Sequence, residues 1–578
     1  MNHSTEGNTN IPSTKELANL IYPKLKHSTE EYEYLYPQRD LPSEAKVTRL
    51  GPSPTGMIHL GNLYGAFVDE RLAHQSKGIF YLRIEDTDEK RYVENAVETI
   101  ISSLDFFDIR FDEGVTSNGD SGNYGPYTQS LRKEIYQSFA YKLLCEGKAY
   151  PCFMTEDEIS EIREKQENQK LTPGIYSGWS KFRDWNKDYK IAEEVIGRIK
   201  NGDNFVIRLK SKGTPNPDSE NTKRFEITDA IRGKLSLPVN FQDVIIIKQS
   251  GIPTYHFAHV VDDHLMRTTH VVRGEEWLPS LPMHIELFEA LGFEPPIYCH
   301  TAQLMKLGED GNKRKLSKRH DPELSLDYYR NQGYHPDAVR EYLMTILNSN
   351  FEEWRESNPD ASIDEFDFDT EKMPVSGSLF DLNKLNDVSK RVLLGTPAEN
   401  IANWLQSWSN KFAPEYAYMF KDMKQLQSLL DIGRRDARPR ADLMYAKQIV
   451  EFISYFYDES FEIIDEYPKE TISDLKDILD GYLNSYNEVD DNESWFDKVR
   501  NLAVKLGYAS KPKDYKKNPD DYKGHVGHVS QVIRIAIVGR SNSPDLWTIQ
   551  QLMGKNKVEN RIKCAINNIT KEGRVDEK

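Results

Sequence analysis

The stretch "RLGPSPTGMIHLGN", Arg49–Asn62, decides the fold. Before it, "KVTRLG" reads as a short extended run. After it, "LGNLYGAFVDERLAHQSKG" places Leu60, Leu63, Tyr64, Phe67, Val68 and Leu72 on a 3.6-residue apolar stripe that stops near Gly78. "IFYLRI" is a second strand, and "EDTDEKRYVENAVETIISSLDFF" reads as a second helix. Strand, glycine-rich turn, helix and strand at this spacing make a parallel βαβ unit. In such a unit the helix N-terminus offers free N–H groups and a partial positive charge, and glycine lets a phosphate approach the backbone. His59 stands at the mouth of the turn, where an imidazole can donate to a phosphate. An isolated H-x-G is otherwise a tight connection with a surface histidine.

The rhythm changes between 131 and 245. Helical stretches carry "YKLLCEGKAYPCFMTEDEISEIREKQ", followed by strand-like pieces such as "FVIRLK" and "VIIIKQ". Alternation resumes with "HVVRGEEWLPSLPMHIELFEALGF", and beyond 321 the chain is largely helical, with a Pro/Asp/Glu-rich break at 351–376. The expected architecture is therefore multidomain, α/β followed by α. An extension covers 1–45, and the two halves of a Rossmann-type domain cover 46–130 and 246–320. An insertion lies at 131–245, a further region at 321–405, and a helical domain at 406–578.

At 578 residues the chain exceeds one core. No run approaches the ~18 apolar residues of a membrane span, and "MNHSTEGNTNIPSTKELANL" shows no basic region followed by an apolar core. Cys145, Cys152, Cys299 and Cys564 form neither a disulfide framework nor paired metal-ligand spacing, which fits a reducing cytoplasm. A net charge of −17 argues against a nonspecific nucleic-acid coat but leaves local basic clusters, "KRKLSKR" at 313–319 and "GRRDARPR" at 433–440. Taken alone, each cluster reads as a solvated loop.

"PSPTGMIHLGN" resembles the HIGH region of the class I aminoacyl-tRNA synthetases, in the form used by bacterial-type glutamyl enzymes, with Asn62 where the motif's usual last histidine stands. "KLSKR", Lys315–Arg319, resembles the mobile KMSKS loop of the same class. A flexible cation there stabilises charge on departing pyrophosphate. "RIEDTD", "GIPTYHFAHVVDDHLMRTTHVVRGEEW" and "KLSKR" are similar to consecutive blocks of the bacterial-type glutamyl-tRNA synthetase family, and the resemblance runs from about 46 onward.

That resemblance implies His59, Lys318 and Lys315 as catalytic. It places ATP, with Mg2+, among Pro52, Ser53, Pro54, Thr55, Gly56, His59, Gly61, Asn62, Glu276, Lys315, Ser317, Lys318 and Arg319. The glutamate pocket would be Arg49, Ser53, Glu85, Tyr255, His259, Arg273 and Trp277, where His259 departs from the asparagine of many relatives. The residues themselves agree: two arginines aimed at a small pocket are costly unless anions fill it, and guanidinium forks suit carboxylates. Glu85 offers a partner for an ammonium group.

"HFAHVVDDHLMRTTH" reads as strand and turn, which scatters its histidines, so no metal site is expected. Some relatives carry a cysteine-rich zinc site in the insertion. With only Cys145 and Cys152 there, no structural zinc is expected. The implied partners are tRNA(Glu), L-glutamate and ATP, with no membrane and the family's usual monomer. The resemblance further implies that the insertion at 131–245 binds the acceptor stem, that 321–405 is a stem-contact domain and that the helical domain at 406–578 binds the anticodon. Arg438, Arg440 and Arg534 are the candidate tRNA contacts, and aromatics in "GIYSGWSKFRDW" either stack on acceptor nucleotides or belong to a core. Val526, Val529, Val532, Ile533 and Ala536 form one apolar helical face. Rivals are a glutaminyl-tRNA synthetase, whose tail is usually β-barrel, a small nucleotidyltransferase, which needs no such tail, and an inactive RNA-binding paralogue.

Overall fold

The computed structural model describes residues 11–54, 58–88, 93–215, 223–317 and 319–572. The chain divides into two compact units, one of Met1–Tyr328 with Arg340–Asp381 and one of Tyr329–Val339 with Leu382–Lys578.

The first unit is built on parallel strands. β1 (Val47–Leu50) pairs in parallel with β2 (Ile79–Leu82), Arg49 opposite Tyr81, and β2 pairs in parallel with β3 (Glu113–Thr116). A short β4 (Gly119–Ser121) closes this edge antiparallel to β3. All four residues of β1 are buried, as expected of a parallel strand covered on both faces. The crossover from β1 to β2 is the Leu60–Gln75 helix, which stops where the Ser76 hydroxyl donates to Leu72 and Ala73 carbonyls. Gly78 is obligatory just beyond, because a Cβ there would stand 1.9 Å from the Lys46 carbonyl. The second helix is shorter than its sequence suggested: Ala96–Phe106, preceded by Asn95 in the left-handed region, so the acidic stretch at 85–88 is free of helix.

An insertion follows. β5 (Ala149–Cys152), β6 (Val206–Leu209) and β9 (Ile245–Ile247) form an antiparallel sheet, and β7 (Arg224–Asp229) with β8 (Gly233–Pro238) form a separate hairpin. Most aromatics of "GIYSGWSKFRDW" are core: Tyr176, Phe182 and Trp185 are buried. The parallel motif resumes with β10 (His270–Gly274) against β11 (Ile297–Thr301). Thr269 N–H donates to the Val47 carbonyl at 2.9 Å, so β10 starts beside β1. The crevice between β1 and β10 is the switch point at which an open α/β sheet binds ligand. β12 (Leu304–Leu307) pairs antiparallel with β13 (Lys313–Lys315) and in parallel with β14 (Ser378–Leu379).

Residues 11–45 belong to this unit's packing. Two short helices, each opened by a serine capping box (Ser13 with Glu16, Ser28 with Glu31), rest on the Lys133–Cys145 helix, and Tyr32 and Tyr36 enter the main core. Arg39 grips Glu113 with a bidentate pair at 2.9 and 3.0 Å.

The second unit is helical, with no β-strand among its described residues. One core gathers Ile401, Leu405 and Trp408 with Ile449 and Ile453. A second gathers Ile478, Leu479 and Val499 around the Val526–Val538 helix, whose Val529, Val532, Ile533 and Ala536 are fully buried. Among the described residues, no helix is long and apolar enough to cross a membrane.

Candidate active site

The turn after β1 aims a helix N-terminus at the crevice. His59 is the N-cap of the Leu60–Gln75 helix, and its backbone N–H donates to Asn62 Oδ1 at 3.1 Å. Asn62 thus closes the first turn from its third position, as the acidic member of a capping box does. The first turn carries no acidic side chain, so the partial positive charge of the helix end remains available to an anion. Gly61 leaves room for the His59 ring, which lies 3.1 Å from where a Cβ would be.

A buried charge network lies under the turn. Arg83 donates to Glu85 Oε1 at 2.8 Å and to Asp263 Oδ1 at 2.6 Å, while Arg49 Nε reaches the same Asp263 oxygen at 3.4 Å. All four side chains are 5% exposed or less, so each charge depends on its neighbours rather than on water. Asp263 meets Arg49 at Nε, and Arg49 also lines the cavity. Burial pushes the Glu85 carboxyl upward, opposed by Arg83 and Arg49. Burial also works against charge on Asp263, yet Arg83 and Arg49 hold it far below the usual range. An ammonium group brought to Glu85 adds the positive charge that favours its ionised form.

Arg273, at the end of β10, is cradled from behind. Its Nε donates to His300 Nε2 at 3.0 Å, its Nη1 lies 3.1 Å from His284 Nδ1, and its guanidinium sits 4.6 Å over the Tyr298 ring. Its Nη2 is buried with no partner, an orphan donor suited to an incoming carboxylate. Tyr255 and Trp277 pack ring against ring at 4.7 Å, and burial raises the Tyr255 phenol to about 12, so it is a neutral hydrogen-bonding group.

These elements surround one cavity of about 850 Å³. Arg49, Ser53, Glu85, Tyr255, Arg273 and Trp277 line it together with Pro52, His59, Gly61, Asn62, Glu276 and Lys315. Four expected residues stand off its wall. Pro54 is buried in the turn, with its carbonyl accepting from Val93 N–H. The Ser317 backbone N–H donates to Asp321, Arg319 is exposed, and His259 is fully buried. Thr55, Gly56 and Lys318 lie outside the described residues. Asp321 organises the start of the lysine loop by taking Arg314 in a bidentate pair at 2.6 and 2.7 Å.

"HFAHVVDDHLMRTTH" corrects the expectation of strand and turn. Residues Tyr255–Leu265 are a helix buried on nearly all sides. Its polar residues serve buried partners: His259 Nδ1 lies 2.8 Å from Asp263 Oδ2, and Asp262 takes Arg132 at 2.7 Å and the Tyr136 hydroxyl at 2.7 Å. No cluster of three or more potential metal ligands occurs among the described residues. The sequence reading missed Asp69, Lys248, Thr301 and Gln303, which also line the cavity. Asp69 is wholly buried, and that burial raises its proton affinity against the nearby positive charge of Arg49.

In the second unit, Arg438 is exposed. Arg440 pairs with Asp442 at 3.0 Å and stands over Phe452, and Arg534 donates to the Pro544 carbonyl at 3.0 Å. Their neighbour Arg434 is structural, donating to the carbonyls of Leu394 and Thr396.

Comparison with known proteins gives concordant matches. Residues 46–387 match the family described as tRNA synthetases class I (E and Q), catalytic domain, and residues 519–566 match an anticodon binding domain. The chain is 58% identical over 551 residues to a glutamate–tRNA ligase of Acetivibrio thermocellus, covering 95% of this chain and 99% of that one. It is 46% identical to one of Clostridium perfringens, with coverage of 95% and 99%. A crystal structure of a glutamate tRNA ligase from Elizabethkingia meningosepticum in complex with its amino acid aligns with a TM-score of 0.68 at 26% identity, covering 91% of this chain and all of that one.

Proposed function

We propose, from the premise that this chain belongs to the glutamate–tRNA ligase family of class I synthetases, a division of labour within its cavity. The enzyme attaches L-glutamate to tRNA(Glu), using ATP as substrate. A glutaminyl-tRNA synthetase is not favoured, since the relatives above are glutamate ligases.

In our reading Arg49 and Arg273 take the two carboxylates of glutamate, and Glu85 takes its ammonium group. Tyr255 and Trp277 wall the aliphatic chain. ATP, entering with Mg2+, lays its phosphates at the N-terminus of the Leu60–Gln75 helix beside His59, with Lys315 reaching from the end of β13. A glutamate α-carboxylate oxygen attacks the α-phosphorus as the bond to the bridging oxygen of pyrophosphate breaks, giving glutamyl-adenylate. The ribose 2′-hydroxyl of the terminal tRNA adenosine then attacks the acyl carbon. AMP leaves, and the hydroxyl proton passes to solvent or to the departing phosphate. No protein nucleophile is needed, so the chain contributes position and charge. Arg438, Arg440 and Arg534 remain our candidates for tRNA contact, and we place the enzyme in the cytoplasm.

The convergence of Arg49 and Arg273 on one cavity, with Nη2 of the buried Arg273 left without a hydrogen-bond partner, carries this reading. The test is charging of the organism's total tRNA with labelled glutamate. Arg49→Ala and Arg273→Ala should each raise the glutamate KM at least about a hundred-fold, as expected when a buried charged hydrogen-bond partner is removed, and leave the ATP KM nearly unchanged. Equal effects on both substrates would refute the division of the cavity.

A further inference from the structure

Arg273 is held by a relay that begins in the insertion. Asp229 ends β7, and its Oδ1 accepts from the backbone N–H groups of Ile231 and Arg232 at 3.0 and 2.9 Å. Its Oδ2 lies 2.6 Å from His300 Nδ1, and His300 Nε2 lies 3.0 Å from Arg273 Nε. The hairpin is docked here by more than this pair. Ala230 N–H donates to the Tyr298 carbonyl, and Arg232 reaches both the His300 carbonyl and Glu275. Ile227 and Leu237 pack on Val271, Leu281 and Tyr298.

The hydrogen-bond roles are fixed from both ends. A guanidinium only donates, so His300 Nε2 accepts; an ionised carboxylate only accepts, so His300 Nδ1 donates. Burial opposes charge on Asp229, but the bonds from His300, Arg232 and Ile231 keep its carboxyl below the usual range. The other groups facing His300 are Arg232 and the stacked Tyr298 ring, 5.7 Å away.

We propose that Asp229 and His300 are positioning residues for substrate, and that the β7–β8 hairpin of the insertion thereby forms part of the glutamate site. Asp229 selects the His300 tautomer, the tautomer aims Arg273, and the aim of Arg273 sets the affinity for the substrate carboxylate. This rests on the reading that Arg273 binds that carboxylate.

The test is a set of isosteric variants of the full chain. In Asp229→Asn the amide oxygen is retained by the Ile231 and Arg232 N–H groups. The His300 backbone N–H, which lies 3.3 Å from Oδ1 and 3.1 Å from Oδ2 of Asp229, stays with that oxygen, so the amide NH2 faces His300 Nδ1. His300 must then reverse its tautomer and present N–H to Arg273. The glutamate KM should rise on the order of ten-fold at neutral pH, while the ATP KM and the circular-dichroism spectrum stay near wild type. In His300→Gln the amide oxygen can accept from Arg273 without help from Asp229. The double variant Asp229→Asn/His300→Gln should therefore have a glutamate KM closer to wild type than Asp229→Asn alone. An unchanged KM in Asp229→Asn, or losses that simply add in the double variant, would overturn the proposal. If Arg273→Lys leaves the glutamate KM unchanged, the failure belongs instead to the assignment of Arg273.

Discussion

Replacing Asp263 with asparagine is the sharpest probe of the buried network. Its carboxylate, wholly buried, lies 2.6 Å from Arg83 and 3.4 Å from Arg49. Asparagine keeps the shape but removes the charge, leaving two buried guanidinium groups with Glu85 as the remaining carboxylate among these four groups. Removing one partner of such a buried pair costs about 3–5 kcal/mol. The first unit has some 370 residues, and at about 2.1 cal/mol/K per residue its unfolding entropy is roughly 0.8 kcal/mol/K. The midpoint should therefore fall by about 4–6 °C. Differential scanning calorimetry reads this directly, and the transition raised by added ATP identifies the first unit. A shift below about 1 °C would refute the claim that Asp263 compensates both arginines.

Three further outcomes are expected. Gly51→Ala places a Cβ 2.3 Å from Glu85 Oε1, so the carboxylate must move; glutamate-dependent pyrophosphate exchange should lose about a hundred-fold in kcat/KM, with the circular-dichroism spectrum intact. Lys315→Ala should slow adenylate formation by at least about ten-fold, the lower range for loss of one transition-state cation, without weakening glutamate binding in a direct titration. His256, His259 and His270 are all held at about 4, by burial with Arg273 beside the first, by burial against the pull of Asp263 for the second, and by burial with Lys46 beside the third. Unfolded, they take up protons near 6.5, so their contribution is complete above that pH and declines as pH falls from 6.5 toward 4. The urea midpoint of the first unit should drop over this window; a rise would contradict neutral burial.

The parts of the site that make backbone turns were legible in the sequence. "PSPTGMIHLGN" and "KLSKR" encode local geometry. Arg49 stands three residues before the first of them, whereas Arg273 lies some 40 residues before the second and was read from its own block, "VVRGEEW". The supporting charges were not legible. The Tyr255–Leu265 helix is buried on most faces, so its aspartates, paired with Arg49, Arg83 and Arg132, and its histidines, paired with His284, Asp263 and Glu33, erase the apolar stripe that marks a surface helix. Asp229, His284 and His300 support Arg273 from a hairpin, a helix and a neighbouring strand, and no spacing along the chain records that convergence. Asn62, a departure from the expected histidine, became intelligible only as the residue that closes the first helical turn on His59.

The most direct measurement is a crystal structure of the protein with bound glutamate. We expect one carboxylate within hydrogen-bond distance of Arg49, the other on Arg273 Nη2, and the ammonium group at Glu85. Glutamate seated elsewhere, or either guanidinium turned away from it, would contradict the account.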